Sequence, residues 1–457
     1  MDLAAERWPG GESAPTLGPE KGRGAEEGRP SRNWRAFLPL RGLTSNPGPS
    51  DRFLLIVTLS LLAVGIVMIF SASAIRAQER FGDPNFFLKK QLLWAALGLL
   101  AMGWAMKWDL KRLQRWTPIL VLAGLLLLLL VLVPAVGVKV NGARRWLRLA
   151  GLSFQPAEFA KLALILFLAS YFSRRQDRLD SFLDGFLPPL IMTGLMAGLV
   201  ILQPNFGTAV VLLFVAGILF FVGGARVSHL AASVATMVPV LFFLMLQSAH
   251  GRTRLLALMD PARVSARATY QLDQSFYALG PGGLLGRGLG DSMQKLFFLP
   301  EPHTDFIFAI VGEEIGFLGT ILVLVFFGLF LWRGTRAAVR AGDPYCSLLA
   351  LGITSLIVGQ AALNMAVVSG LLPTTGVPLP FLSFGGSSLL VNAVAAGILL
   401  NISRQGAPRP VMESEILTPP APEAEDNAIA DALATEGALS PQAAFSPQGA
   451  FSPQEAP

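Results

Sequence analysis

The chain has 457 residues, of which 53% are hydrophobic and only 14% charged, with a formal net charge of +6. A soluble domain carries about 25% charged residues, so this composition excludes an ordinary water-soluble surface. A lone cysteine, Cys346, excludes an intramolecular disulfide, and three histidines beside it argue against an all-protein zinc site. The positive charges flank apolar runs, which fits membrane topology and not a nucleic-acid surface.

Residues 1–50 are rich in Gly, Pro, Glu and Arg and carry no apolar periodicity, so they are expected to be a disordered tail. No signal-peptide core lies within them, and the first apolar segment, near Phe53, is expected to remain as an anchor. Runs long enough to cross ~30 Å of hydrocarbon follow, near 53–75, 87–106, 117–138, 155–173, 186–203, 206–224, 229–247, 305–332, 347–370 and 384–403. The predicted fold is therefore an all-α integral membrane protein of about ten transmembrane helices. Residues 406–457 read as a second disordered tail, ending in the repeats Phe445-Ser-Pro-Gln and Phe451-Ser-Pro-Gln. A solvated tail or a docking peptide fits them.

Lysine and arginine near the span ends set the orientation. With both termini cytoplasmic, inner loops hold Lys107, Lys111, Arg112, Arg115, Arg174, Arg175, Arg178, Arg226, Arg333, Arg336 and Arg340, and the tails add Arg35, Arg41, Arg52 and Arg404. The outer side keeps Arg76, Arg80, Lys89 and Lys90 in one loop and Lys139, Arg144, Arg145 and Arg148 in another. The long connection between helices seven and eight, about 248–304, then lies outside. Its aromatic residues and Gly-rich stretch predict a folded cover over the outer face.

Four stretches carry candidate chemistry. Glu158 and Lys161 share one face at the start of span four. Ionisable groups in such a helix suggest function, and a charge pair that locks two helices is the alternative. Asp305, in Leu299-Pro-Glu-Pro-His-Thr-Asp-Phe, falls where the outer loop meets the hydrocarbon. Partial desolvation suits a proton acceptor there, and a helix-capping role is the alternative. Glu313 and Glu314 are placed inside the same span, as catalytic groups or buried hydrogen-bond partners. The Pro- and Gly-rich 372–388 stretch marks irregular backbone at membrane depth. Its Ser383, Gly385 and Gly386 open span ten and offer an anion-binding helix start, unless the stretch is only a packing loop. Arg144, Arg145, Lys161, Asp305 and that helix start all map to the outer face. Cations and a helix start suit a phosphorylated lipid, and one carboxylate suits a base.

Together, Asn141-Gly-Ala-Arg-Arg-Trp, Gln155-Pro-Ala-Glu-Phe-Ala-Lys, Gln203-Pro-Asn-Phe-Gly-Thr, the Asp305 stretch and Pro378-Leu-Pro-Phe-Leu-Ser-Phe-Gly-Gly-Ser-Ser resemble the SEDS family (shape, elongation, division and sporulation) over about residues 53–404. The Asp83-Pro-Asn-Phe-Phe stretch, Pro373-Thr-Thr-Gly and the ending Gly397-Ile-Leu-Leu-Asn-Ile-Ser-Arg look more like the FtsW and SpoVE branches than RodA. The resemblance implies one SEDS transmembrane domain over 51–405. It implies a peptidoglycan glycosyltransferase of the bacterial cytoplasmic membrane that polymerises lipid II, releases undecaprenyl pyrophosphate and serves septal synthesis. By position it places the family's essential aspartate on Asp305, as the catalytic residue, and its functional Glu, Lys, Arg and Ser on Glu158, Lys161, Arg145 and Ser383. With Arg144, His303, Gly385 and Gly386, these four form the expected substrate-binding set. It nominates no metal-ligating residue, though it leaves room for a divalent cation, Mg2+ or Mn2+. It also implies a class B penicillin-binding protein and divisome proteins as partners. One departure is Asn205, where many members have Asp, so a carboxylate there is not obligatory. The alternatives are a lipid II flippase, an elongation polymerase of the RodA type, and a scaffold recruiting partners through its tails.

Overall fold

The computed structural model describes residues 49–140, 142–149, 152–175, 179, 181–260 and 265–405. The predicted tails fall outside these apart from Pro49 and Ser50, as do Asn141, Arg35, Arg41 and Arg178.

Among the described residues, ten helices are long and apolar enough to cross a membrane, and the chain is a multi-pass membrane protein. They are α1 (Arg52–Phe81), α2 (Phe86–Ala105), α3 (Leu110–Leu130), α4 (Pro156–Arg174), α5 (Leu187–Leu202, led by a π-helical turn, Phe182–Phe186), α6 (Phe206–Gly223) and α7 (Val227–Gln247). After a long connection come α11 (Gly316–Arg340), α12 (Pro344–Val368) and α13 (Gly386–Gln405). Local chemistry sets their ends. Asp51 and Asp109 accept from the first N–H groups of α1 and α3. Pro156 opens α4 at a position where its missing N–H costs nothing. The Asp109 cap also moves the third span towards the N-terminus from the expected 117–138, because Lys111, Arg112 and Arg115 are helical.

Burial sorts the helices into a centre and a periphery. In α4 and α13, 78% of the most apolar window is buried, and in α12 72%, whereas α7 buries none of it. Large exposed side chains such as Leu100, Phe214, Phe243 and Phe317 cover the peripheral helices. In hydrocarbon that exposure carries no hydrophobic cost. Gly386 is needed where α13 meets α2, because a Cβ there would run into the Trp94 indole.

Two features depart from the sequence reading. The connection from α3 to α4 contains a small antiparallel sheet, β1 (Gly137–Val140), β2 (Ala143–Leu149) and β3 (Leu152–Phe154), in the order β1-β2-β3. The expected span 305–332 is also divided. A short helix α10 (Ile307–Glu314) ends at Ile315, and Gly316, at φ +77°, redirects the chain into α11, which runs on to Arg340. The break keeps Glu313 and Glu314 out of a spanning helix, where two carboxylates would be costly.

The long connection, α8 (Ala249–Met259), α9 (Ala266–Leu279) and an irregular stretch to α10, is fastened by those two glutamates. Glu313 accepts from the Met293 N–H at 2.8 Å and from the Ser292 hydroxyl. Glu314 accepts from Ser71 of α1 at 2.6 Å and from Lys295 at 3.1 Å. These contacts give both glutamates the role of buried hydrogen-bond partners.

Candidate active site

The described parts of the connections within 82–85, 131–155, 203–205, 248–315 and 369–385 meet at one end of the bundle, tied by contacts that cross the sequence. The Phe384 N–H donates to the His303 carbonyl at 2.9 Å. Asn364 Nδ2 donates to the carbonyls of Asp305 and Val377, both at 2.8 Å. Arg145 Nε donates to the Gln203 carbonyl at 3.0 Å, and its Nη2 to the Pro204 carbonyl.

Asp305 lies at the focus of these connections, half-buried, just before α10. Its Oδ2 is 3.3 Å from where a Cβ on Gly376 would be, so the 376–378 segment forms one wall. Burial raises the carboxyl to about 6, and the nearby Glu301 charge adds to the rise, while Arg254 and Arg145 oppose it. Arg145 is itself lowered to about 10, by burial and then by Arg254, with Asp305 acting the other way. Arg254 is lowered by burial, again against the pull of Asp305. One carboxylate thus faces two half-buried guanidinium groups that repel each other. The arrangement has positive charge to spare for an anion and holds a carboxylate that changes protonation near neutrality.

A bulge in β2 separates the twin arginines: Val138 pairs with Trp146 and Lys139 with Arg144, which leaves Arg145 as the extra residue. Its hydrogen bonds to the Gln203 and Pro204 carbonyls hold Arg145 at the site. Arg144 is half-buried opposite Lys139. Glu158 and Lys161 are 1% and 2% exposed and paired at 3.0 Å. Lys161 also donates to Gln360 Oε1, so the pair joins α4 to α12. It reaches the Asp305 region through Gln360, whose Nε2 donates to the Pro378 carbonyl at 2.9 Å.

His303 is 4% exposed and packs its ring against Phe87 and Phe384, at 4.5 and 5.7 Å between centroids. Burial, with Arg76 nearby, lowers its pKa to about 4, so it is neutral. The Ser383 hydroxyl accepts from the Leu379 N–H at 2.8 Å and closes the turn before α13. Gly385 and Gly386 form the start of α13, with Gly386 against Trp94. Asn205 is 2% exposed and caps α6, accepting from the Thr208 N–H at 3.4 Å. Asn and Asp cap equally well, so this role does not require a carboxylate.

Sequence reasoning missed Arg254, Gln360 and Asn364. Arg254 sits in no motif. Gln360 and Asn364 were legible only as two amides one turn apart in an apolar span, a spacing that places both on one face. Among the described residues no three His, Cys, Asp or Glu side chains converge on a point that could hold a metal, and the Asp305 carboxylate is flanked by cations. The donor set does not fit a protein-made cation site.

A family model described as cell cycle protein, covering FtsW, RodA and SpoVE, matches residues 52–407. The chain is 43% identical over 362 residues to the stage V sporulation protein E of Bacillus subtilis, covering 79% of this chain and 99% of that protein. It is also 43% identical over 353 residues to a probable peptidoglycan glycosyltransferase FtsW of Trichlorobacter lovleyi, covering 77% and 93%. Among solved structures it resembles a chain from work on the structural coordination of polymerization and crosslinking by a peptidoglycan synthase complex. That match has TM-score 0.64 and 30% identity, over 78% of this chain and 98% of the other. The rod shape determining protein RodA of Thermus thermophilus matches with TM-score 0.58 and 29% identity, over 79% and 98%.

Proposed function

The chain belongs to the cell cycle protein family of FtsW, RodA and SpoVE and is a peptidoglycan glycosyltransferase, and from that premise we propose that it polymerises lipid II with Asp305 as the base. The observation that carries this reading is the half-buried Asp305 carboxyl, held near 6 between Arg145 and Arg254. A base poised close to neutrality combines a useful ionised fraction with a useful proton affinity.

In the reaction, the 4-hydroxyl of one lipid-linked sugar attacks the anomeric carbon of another. Its proton passes to Asp305 as the new C–O bond forms. The bond to undecaprenyl pyrophosphate breaks, and the diphosphate leaves with the electron pair. An α-linked donor and a β-linked product require inversion, so no covalent enzyme intermediate is involved. Arg145 and Arg254 offset the charge that builds on the diphosphate, a kind of electrostatic help worth ~3–4 kcal/mol per donor.

We place this end of the bundle on the outer face, with both termini cytoplasmic, in line with the lysine and arginine bias. Relatives that include FtsW support septal synthesis, alongside divisome proteins. The neighbour from a synthase complex supports a class B penicillin-binding protein as the crosslinking partner. The test is polymerisation of purified lipid II by the full chain, with and without that partner. Wild type should make glycan, and Asp305→Ala should lose about 10²–10⁴-fold in rate. Full activity of Asp305→Ala, or lipid II movement across liposomes with no polymer, overturns the reading.

A further inference from the structure

Gln360 and Asn364 project from one face of α12, and both are buried, at 0% and 2% exposure. Gln360 holds the Pro378 carbonyl, and Asn364 holds the carbonyls of Val377 and Asp305 together. The two amides thus join the wall of the site, the 376–378 segment, to the backbone of Asp305. At their other end Gln360 Oε1 accepts from Lys161, which is paired with Glu158. A polar rail runs from α4 to α12 and, through the neighbouring Val377 and Pro378 carbonyls, to the backbone of Asp305.

The residue type at 364 fits the task. A primary amide offers two N–H donors on one neutral atom, one for each carbonyl. A serine would serve only one of them, an aspartate neither, and a lysine would bring a charge into an apolar span.

We propose that Asn364 is a positioning residue for sugar transfer, fixing the Asp305 carboxylate against the 376–378 segment, and that Glu158, Lys161 and Gln360 act through the same rail without touching substrate. The proposal rests on Asp305 being the base. Removing the amide leaves two buried carbonyls without their donor, so the two segments part to find other partners. A misplacement of about 1 Å in a reacting group costs about 10²-fold in rate.

Asn401 supplies a matched control. Its Nδ2 also donates to two carbonyls, those of Ala105 at 3.3 Å and Trp108 at 2.7 Å, at the other end of the bundle. Lipid II polymerisation by the full chain with its partner is measured for Asn364→Leu, Asn364→Asp and Asn401→Leu, together with thermal stability. Asn364→Asp keeps the shape, so the comparison survives if the leucine variant folds poorly. The Asn364 variants should lose about tenfold to a hundredfold in kcat with KM within about twofold, and Asn401→Leu should lose stability alone. In parallel, an Asp305→Cys, Cys346→Ser protein is labelled with a small methanethiosulfonate in the absence of substrate. Adding Asn364→Leu or Asn364→Asp should change the labelling rate several-fold, and adding Asn401→Leu should not. An unchanged labelling rate overturns the proposal whatever the activity shows, as does a kcat loss that Asn401→Leu reproduces. Full activity of Asp305→Ala removes instead the reading beneath it, and the proposal falls with that reading.

Discussion

Arg254 of α8 lies within electrostatic reach of the Asp305 carboxylate and holds it below the value that burial and Glu301 would impose. The long connection therefore contributes to the site, because it supplies one of the two cations that act on the Asp305 carboxylate.

The first prediction concerns pH. A base must be ionised, so kcat/KM should fall about tenfold per unit once the pH drops below the Asp305 value of about 6. Glu301 raises that value, so Glu301→Gln should move the acid limb to lower pH. Arg254 lowers it, so Arg254→Gln should move the limb to higher pH, by about one unit. Rate profiles from pH 4.5 to about 8 for the three proteins check this, and parallel shifts in the two variants would contradict it.

The buried pair gives a stability prediction. Glu158 and Lys161 are both almost fully enclosed, so removing one leaves the other charged and unpaired in an apolar span. Glu158→Leu or Lys161→Met alone should cost about 3–5 kcal/mol, and the double variant should recover much of that loss. Denaturation in detergent reads the stability. The double variant should still turn over slowly, because Gln360 has lost its anchor.

Asn205 separates capping from acid–base chemistry. Asn205→Asp should keep wild-type turnover within about twofold, because either side chain accepts the Thr208 N–H. Asn205→Ala should lose about 1 kcal/mol of stability. An aspartate variant much faster than wild type would show that a carboxylate contributes at this position.

The seam between α2 and α13 can be tested by complementary substitution. Gly386→Ala drives a methyl group into Trp94 and should cost about 1–3 kcal/mol. Adding Trp94→Phe should restore part of the loss, and melting temperatures of the single and double variants show whether it does.

Most of the bundle could be read from the sequence, because a membrane span is a local property of about 20 residues. The ends were less legible. Lys111 and Arg112 look like a loop until Asp109 is seen to cap them. The break at Gly316 depends on partners that Glu313 and Glu314 find far upstream, and no local pattern reports them. The same holds for the site. Asp305 stood out by its position, but the placement of Arg145 depends on a bulge in a three-stranded sheet whose short strands carry little signal. Arg254 carries no sequence signature, because only tertiary folding brings it to the carboxylate.

The Asn364 clamp has a consequence for biosynthesis. The chain leaves the ribosome from its N-terminus, so Arg145, Arg254 and Asp305 are made well before the α12 amide and the 377–378 carbonyls that it joins. On the proposed roles of Asp305 and Asn364, the base takes its final place only after α12 has been inserted and the turn after it has closed. On the same proposal, a nascent or truncated chain should be silent towards lipid-linked sugars already present in the same bilayer.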